Sequence, residues 1–177
     1  MATKTAAKKR ASGKSASKKP APGKPARVKP IPDGYHSATP YVIVDGAARA
    51  IEFYKQAFGA KELMRIPAPG DRIGHAEIKV GDSVIMLADE HPEMDARSPK
   101  HYGGSPVSLL LYVTDVDGQF KQALAAGGTE VRPVADQFYG DRAGTLRDPF
   151  GHSWHIHTHK ENVSPAELNR RMAAMHK

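Results

Sequence analysis

The sequence predicts an α+β fold made of two successive βαβββ modules, with a disordered basic tail before them and a C-terminal helix after them. The same order of extended and helical patterns occurs twice along the chain. An offset of 69 residues superposes Val44 on Val113 and Gly59 on Gly128. Ten of the 26 basic residues lie in residues 1–32, which contain no acidic residue. The first two observations define the modules, and the third sets the tail apart from them.

Module one is predicted to span residues 37–88. Ile51, Tyr54 and Phe58 recur at helical spacing, and Gly59 stands where helices commonly end. The predicted elements are, in order, a strand at 40–44, a helix at 47–58 and strands at 60–66, 73–80 and 83–88.

Module two is predicted at residues 107–160, after a Pro- and Gly-rich linker at 89–106. Val116, Phe120 and Leu124 recur at intervals of four residues, which indicates a second helix. The predicted elements are a strand at 107–113, a helix at 115–126 and strands at 129–134, 139–146 and 153–158.

A C-terminal helix is predicted at residues 164–176, with its regular part at 165–175. Ser164 is a capping residue, Pro165 occupies the first helical position, and Glu167 follows three residues after the cap. The helix carries an apolar stripe that we expect to pack on the domain or on a partner subunit: Leu168, Met172 and Met175. Together, the periodicities predict a core that includes Ile51, Tyr54, Phe58, Val84, Leu110, Phe120, Leu124 and Ile156.

The positive net charge of the chain belongs to its N-terminal tail. Without residues 1–32, 16 basic residues remain against all 19 acidic ones, a formal charge of −3. Five prolines and very little apolar surface predict that residues 1–36 are disordered. Ten mobile cations would let residues 1–32 bind nucleic acid without sequence specificity, by neutralising phosphates.

Composition excludes several kinds of protein. The chain has no cysteine, which rules out disulfides, an active-site thiol and any thiolate metal site. No apolar run reaches the roughly 18 residues of a membrane span, so we expect no membrane partner. The basic N-terminus also lacks the apolar stretch of a secretory signal. We therefore expect a cytoplasmic bacterial protein, with nucleoid association through the tail left open.

Three segments point to a known family. Module one begins PYVIVDGAARAIEFYKQAFGAKEL, and later segments are HAEIKVGDSVIMLADEHPE and YGDRAGTLRDPFGHSWHIHTH. Paired βαβββ modules with such segments resemble the vicinal oxygen chelate superfamily, which includes glyoxalase I, bleomycin-resistance proteins and extradiol dioxygenases. They resemble its PhnB-like branch more narrowly. Over about residues 37–172, the resemblance implies a homodimer with a partly open mixed-sheet barrel, whose concave face holds a small ligand, often with a metal.

The resemblance also implies metal ligands on the first and last strand of each module. The corresponding positions here are Thr39, Met86, Ser108 and His155. Threonine, methionine and serine are poor ligands for the divalent ions concerned, which favour imidazole or carboxylate. We therefore expect a protein without the usual four-ligand metal site. The cofactor stays undetermined, with a divalent metal less favoured than none.

Histidines alternate along the last predicted strand. His155, His157 and His159 should share one face of the sheet. A relocated metal site made of His155, His157 and His75 is one alternative, and polar pocket or surface histidines are the other. His75 also shares a strand face with Glu77, which makes the two a candidate catalytic acid/base pair or a solvated pair.

The candidate ligand-binding residues are His155, Asp141, Arg142, Tyr139 and Trp154. The related branch suggests a role for Asp141 and Arg142, because the fork of an arginine can hold a carboxylate, phosphate or phosphonate. The alternative is an ion pair that fixes the hairpin. Tyr139 and Trp154 either line an apolar pocket or fill the core.

Three functions follow from these observations. The first is a small-molecule-binding protein of the glyoxalase/bleomycin-resistance type, without the usual metal site. The second is a metal-dependent lyase, isomerase or dioxygenase with relocated histidine ligands. The third is a DNA-associated accessory protein that acts through the basic tail. Whether the protein is an enzyme stays open.

Removal of the tail tests the third function. A chain beginning at Asp33 should fold normally and lose affinity for random duplex DNA, because residues 33–177 carry a net negative charge. For the full chain, log affinity should fall with log salt by roughly 0.9 per phosphate neutralised. The measurement is a salt series of gel shifts with both chains, and equal binding by the two would contradict this prediction.

Overall fold

The computed structural model describes Met1 and residues 28–175 of the 177-residue chain. The chain divides into two compact units, residues 1–30 and residues 31–177. Within the first unit, Met1 and residues 28–30 contain no helix or strand. Most of the predicted tail lies outside the described residues, as does residue 176 of the predicted C-terminal helix. The domain boundaries and the disorder of the tail therefore stay predictions.

The second unit contains the predicted eight strands and three helices in the predicted order. The strands are β1 (Tyr41–Val44), β2 (Lys61–Ala68), β3 (Arg72–Val80), β4 (Ser83–Asp89), β5 (Ser108–Tyr112), β6 (Thr129–Asp136), β7 (Asp141–Arg147) and β8 (Ser153–His159). The helices are α1 (Ala47–Phe58), α2 (Val116–Ala125) and α3 (Pro165–Met175). The linker adds a short 3-10 helix at Pro92–Met94 that the pattern did not predict. Among residues 28–175, no helix has the length and apolarity needed to cross a membrane.

The strands form two four-stranded mixed sheets. Sheet one has the order β1-β4-β3-β2, and sheet two has the order β5-β8-β7-β6. In each sheet the first and last strands of the module pair in parallel, and the remaining pairs are antiparallel. The sheets are not closed. This arrangement confirms the predicted α+β class and the two βαβββ modules.

A buried carboxylate at the end of β4 fixes the start of α1. Asp89 is buried and accepts hydrogen bonds from the backbone N–H groups of Gly46 (2.9 Å), Ala47 (2.7 Å) and Ile73 (2.7 Å). A negative charge at this end of the helix also matches the helix dipole. One side chain therefore positions α1 against the β3–β4 hairpin.

The core lies between the helices and the inner faces of the sheets. Helix α1 packs against α2, and an aromatic cluster surrounds the contact between the modules: Phe53, Tyr54, Phe58, Phe150 and Trp154. The ring centroids of Phe58 and Trp154 are 4.5 Å apart, a favourable separation for aromatic pairs. Because Phe58 belongs to module one and Trp154 to module two, the cluster joins the modules.

Most of the predicted core is confirmed. Six of the predicted residues are buried: Ile51, Tyr54, Phe58, Val84, Phe120 and Ile156. Leu124 is half-buried and packs against the core. The prediction for Leu110 is wrong, because this side chain is 51% exposed. Leu109 and Leu111 take the core side of β5, and alternation along a strand then places Leu110 on the opposite face.

Within the described residues, the apolar stripe of α3 is half-buried at Leu168 and exposed at Met172 and Met175. The helix buries none of its residues, and Met172 and Met175 are exposed. Arg171 attaches the helix instead, through an ion pair with Glu161 (2.8 Å) and a hydrogen bond to the carbonyl oxygen of Phe138 (3.2 Å). Polar contacts on one side of α3 therefore leave its apolar side free.

Asp148, in the turn between β7 and β8, is a buried carboxylate that links the two modules. Its Oδ2 accepts hydrogen bonds from the Tyr54 hydroxyl at 2.8 Å and from Trp154 Nε1 at 3.0 Å. Its Oδ1 accepts from the backbone N–H groups of Phe150 and His152, both at 2.9 Å. Burial, with the charge and hydrogen bond of Asp148, raises the pKa of Tyr54 well above its ordinary value, so the phenol stays a donor.

Substitution of Asp148 should destabilise the whole fold. Asp148→Ala leaves two buried side-chain donors and two backbone donors without an acceptor, so the free energy of unfolding should fall by about 3–5 kcal/mol. Tyr54→Phe removes one bond to a charged group and should cost about 1.5–3 kcal/mol. Equilibrium urea unfolding measures both values. The control is Asp136→Ala, which breaks one exposed ion pair and should change stability by less than about 1 kcal/mol. A loss for Asp148→Ala no larger than this control would contradict the prediction.

Candidate functional site

A groove lies on the face of sheet two that points away from the core. Its cavity is about 300 Å³, and it is lined by residues of β5, β6, β7 and β8 and of the β6–β7 turn: Leu110, Arg132, Pro133, Gln137, Tyr139, Ala143, Gly144, Thr145, His155 and His157. The strand register brings these residues together. His155 pairs with Leu110 on one side and with Thr145 on the other, and His157 pairs with Tyr112 and Ala143.

His155 lies at the centre of the groove. Its Nδ1 is 2.9 Å from the Thr145 hydroxyl, in a partly buried hydrogen bond. Burial lowers the pKa of His155, and the nearby His157 and Arg132 lower it further. The imidazole is therefore neutral near pH 7, and it offers the groove a hydrogen-bonding group without a charge.

Behind the groove, three hydrogen-bond donors contact the carboxylate of Asp141. This carboxylate is 5% exposed. Its Oδ2 lies 3.0 Å from both His157 Nδ1 and the Tyr112 hydroxyl, and its Oδ1 lies 2.8 Å from His159 Nδ1. Burial raises the pKa of Asp141, but the bonds from His157, His159 and Tyr112 outweigh burial, and the net pKa is lowered. Asp141 is therefore ionised at neutral pH.

The glycine before Asp141 is required by the backbone. Gly140 has φ +100°, and a Cβ built there would lie 2.3 Å from the carbonyl oxygen of Glu161. The carbonyl of Gly140 also accepts hydrogen bonds from the N–H groups of Lys160 and Glu161, both at 2.9 Å. Only glycine combines this left-handed conformation with so close an approach. The start of β7 is thus held beside the end of β8, where His159 meets Asp141.

The structure favours the ion-pair alternative for Arg142. Its guanidinium forms two hydrogen bonds of 2.7 Å with Asp117 on α2 and a third of 3.1 Å with Asp136 on β6. Arg142 does not line the groove. It fastens α2 to the β6–β7 hairpin, and a ligand-binding role for its fork stays a prediction.

The two aromatic candidates for ligand binding, Tyr139 and Trp154, lie in different environments. Tyr139 lines the groove, and its ring is stacked with that of His157 at a centroid distance of 6.3 Å. Trp154 is 1% exposed and packs in the core against Tyr54 and Phe58. For Trp154 the structure favours the core-filling alternative, because strand alternation turns it away from His155.

Sequence reasoning missed Arg132, Gln137, Thr145 and Tyr112. Each reaches the site through cross-strand pairing or a turn and not through a local motif. Arg132 pairs with Thr145 across the β6–β7 hairpin, where the register shifts. The one signal that could have placed Arg132 at the site is the register of that hairpin. Strand periodicity does not predict an irregular register.

Sheet one carries a second polar cluster. Glu77 is 7% exposed and accepts a hydrogen bond from the Tyr35 hydroxyl. Its carboxylate is 3.2 Å from His75 Nε2, and His75 Nδ1 is 3.0 Å from the Tyr41 hydroxyl. The predicted pairing of His75 with Glu77 is therefore present, but the carboxylate is buried and not solvated. The side chains that contact the Glu77 carboxylate, Tyr35 and His75, both belong to this cluster.

The described residues do not fit a divalent metal. Among residues 28–175, no group of three or more His, Cys, Asp or Glu side chains is arranged to hold a metal ion. His75 belongs to sheet one, whereas His155 and His157 belong to sheet two, so the relocated three-histidine site is not assembled within this chain. At the implied positions, the Thr39 hydroxyl donates to the His36 carbonyl at 3.2 Å, and Met86 and Ser108 are weak ligands.

Comparison with known proteins agrees with the fold. Residues 35–156 match the family model described as the Glyoxalase/Bleomycin resistance protein/Dioxygenase superfamily. The uncharacterized protein Mb0911c of Mycobacterium bovis (strain ATCC BAA-935 / AF2122/97) is 41% identical over 139 residues, which cover 77% of this chain and 91% of that protein.

Two solved structures illustrate the similarity. The crystal structure of TioX from Micromonospora sp. ML1 has a TM-score of 0.55 and 26% identity, covering 73% of this chain and 100% of that one. The PhnB protein from Bacillus cereus, a putative 3-demethylubiquinone-9 3-methyltransferase, has a TM-score of 0.54 and 19% identity, covering 70% and 99%. At 19% identity the likeness shows the fold alone.

The contact between His159 and Asp141 should make stability depend on pH. Hydrogen bonds to Asn162 and to Asp141 raise the pKa of His159 above its ordinary value. A raised pKa in the folded state adds stability that is complete below the unfolded value near 6.5 and is lost as pH rises through the folded value. The difference in unfolding free energy between the wild type and His159→Gln should therefore be largest at pH 5.5 and smaller at pH 9.

Urea unfolding at several pH values measures this difference. His101→Gln, in the linker and outside the Asp141 network, is the matched control. A difference for His159→Gln that is constant with pH, or that grows above pH 7, would contradict the prediction.

Proposed function

The chain belongs to the glyoxalase/bleomycin resistance protein/dioxygenase superfamily, and from this premise we propose that it binds a small organic anion in the groove over sheet two. The observation that carries the proposal is the lining of this groove. Arg132 and two imidazoles line a cavity of about 300 Å³ that has no acidic side chain among its lining residues. That volume is at the lower end for small-molecule sites.

Charge supports an anionic ligand. Arg132 has no ion-pair partner recorded among the described residues and is exposed, whereas Arg142 is fully engaged by Asp117 and Asp136. The carboxylate of Asp141 lies behind His157 and is occupied by three donors. A carboxylate, phosphate or phosphonate therefore meets a free guanidinium with the fork geometry that such groups favour.

The lining is also partly apolar. Leu110, Pro133 and Ala143 flank the polar groups, and Tyr139 forms one side. Half-exposed apolar residues at a polar groove are typical of sites that fix an organic ligand by a few polar contacts. We therefore propose an anion with an apolar body, bound without a resident metal.

A second copy of this chain is part of the proposal. Sheet one leaves Tyr41, Met64 and Ile66 exposed at 49%, 40% and 47%. Apolar side chains exposed on both edge strands of an open sheet support a subunit contact. The DNA-associated role rests on residues outside the described range and stays a prediction from the sequence.

Calorimetric titration with size-matched probes tests the proposal. Benzoate and phenylphosphonate should bind, and benzylammonium should not. Arg132→Gln removes a charge-assisted contact worth about 1.5–3 kcal/mol, so the affinity for both anions should fall at least tenfold. Arg65→Gln, on the exposed edge strand of sheet one, is the matched control and should bind like the wild type. Binding of the cation, or equal affinities for Arg132→Gln and wild type, would overturn the proposed function.

A further inference from the structure

We propose that a second cavity, between β1 and the segment before β5, binds a carboxylate with an extended apolar body, such as a medium-chain fatty acid. This linker cavity has a volume of about 390 Å³, and its walls come from β1, segment 97–107, β5 and the β7–β8 turn. None of its lining residues also lines the groove over sheet two. The inference therefore goes beyond the proposed function and does not depend on it.

Segment 97–107 is a preformed wall of the cavity, because it is folded against the β7–β8 turn. The N–H groups of Tyr102 and Gly104 both donate to the carbonyl of Pro99, at 3.2 and 2.9 Å. Pro99 is buried, and a Cβ built on Gly151 would lie only 2.9 Å from the Cβ of Pro99. A hydrogen-bonded segment in such close contact with the turn keeps the cavity in shape, as in most small-molecule sites.

The β1 side of the cavity is fixed by two side-chain hydrogen bonds. His152 Nε2 donates to the carbonyl of Ile43 at 3.1 Å, which joins the β7–β8 turn to β1. The Tyr41 hydroxyl lies 3.0 Å from Nδ1 of His75, whose other nitrogen is 3.2 Å from the buried Glu77 carboxylate. The rings of Tyr41 and His152 therefore keep their places around the cavity.

The lining is mainly apolar. Tyr102 and Val107 are 62% and 68% exposed, and Ile43 and Leu109 are half-buried beside them. The hydroxyl of Ser105 is already used, since it donates to the carbonyl of Val107 at 2.8 Å. An apolar ligand body would remove these side chains from water without covering a free polar group of the wall, which favours binding.

One guanidinium gives the cavity its charge. Arg97 lines the cavity and is half-buried, and it pairs with Asp95 at 3.8 Å, a residue whose side chain is 90% exposed. The lining residues, all within the described part of the chain, include no acidic side chain. Arginine stays protonated, and its planar fork matches a carboxylate. A single permanent cation on an apolar wall therefore points to a carboxylate with an apolar body.

Calorimetric titration of the full chain with decanoate and decylammonium, well below their micelle concentrations, tests the proposal. The two probes share a ten-carbon chain and differ in the charge of the end group. Decanoate should bind about tenfold tighter or more, because only its end group can bond Arg97. Hexanoate should bind more weakly than decanoate, by about twofold for each methylene group that it lacks, because the chain is partly buried in the cavity.

Reversal of the charge gives the decisive variant. Arg97→Glu should bind decylammonium more tightly than decanoate and should bind phenylphosphonate like the wild type, because that probe belongs to the groove. Arg65→Glu makes the same change of charge on the exposed edge strand of sheet one. This matched control should keep the preference of the wild type for decanoate.

A second variant keeps the test decisive if Arg97→Glu fails to fold. Val107 is exposed, so Val107→Asp adds a negative charge to the wall without burying it, and the affinity for decanoate should fall by about threefold or more. Val131→Asp, at an exposed position of β6 outside the cavity, is its control and should bind decanoate like the wild type.

The outcomes separate this inference from the proposed function. It is overturned if the wild type does not bind decanoate, or if Arg97→Glu and Val107→Asp both keep the preference for decanoate. A change of oligomeric state in Val107→Asp with unchanged affinity would also overturn it, because the cavity would then be a subunit contact. Loss of decanoate binding in Arg132→Gln alone would place the fatty acid in the groove. If phenylphosphonate does not bind but decanoate behaves as expected, only the proposed function fails.

Discussion

The structure depends on one buried carboxylate, Asp148. Its four hydrogen bonds join the side chain of Tyr54 in α1 to the turn and the strand that follow it in module two. A charge buried at 4% exposure is tolerated only when donors surround it. Tyr54 belongs to module one and can donate to Asp148 only when the two modules pack together. The same contact that helps to satisfy the carboxylate therefore also sets the arrangement of the modules.

Asp148 is one of four buried carboxylates among the described residues, with Glu77, Asp89 and Asp141, and their partners distinguish their roles. Asp89 is satisfied by backbone N–H groups and Asp148 by backbone and core donors, so both fix elements of the fold. Asp141 is bonded by the side chains of Tyr112, His157 and His159 beside an open groove. Asp89 and Asp148 therefore hold the scaffold, whereas Asp141 orders the side chains beside the groove.

Strand alternation explains both the successes and the errors of the sequence analysis. It places His155 and His157 on one face and Ile156 on the other, as predicted. The same rule, applied to β5 in its register with β8, makes Leu110 a groove residue. Apolar periodicity cannot show this in the strand Ser108–Tyr112, because its three successive leucines look buried on both faces. The pairing of β5 with β8 determines which of the three leucines is exposed.

The sequence by itself determined the order of eight strands and three helices, since apolar spacing, capping residues and turn glycines act over a few residues. It also determined that three of the four implied metal positions carry poor ligands, Thr39, Met86 and Ser108, because that depends only on residue type. Tertiary structure alone decided that Arg142 is engaged by Asp117, that Arg132 is free at the groove, and that Asp141 bonds His157 and His159. These contacts join residues 16 to 25 positions apart. Hydrogen bonds and ion pairs form only where folding brings their atoms within about 3 Å.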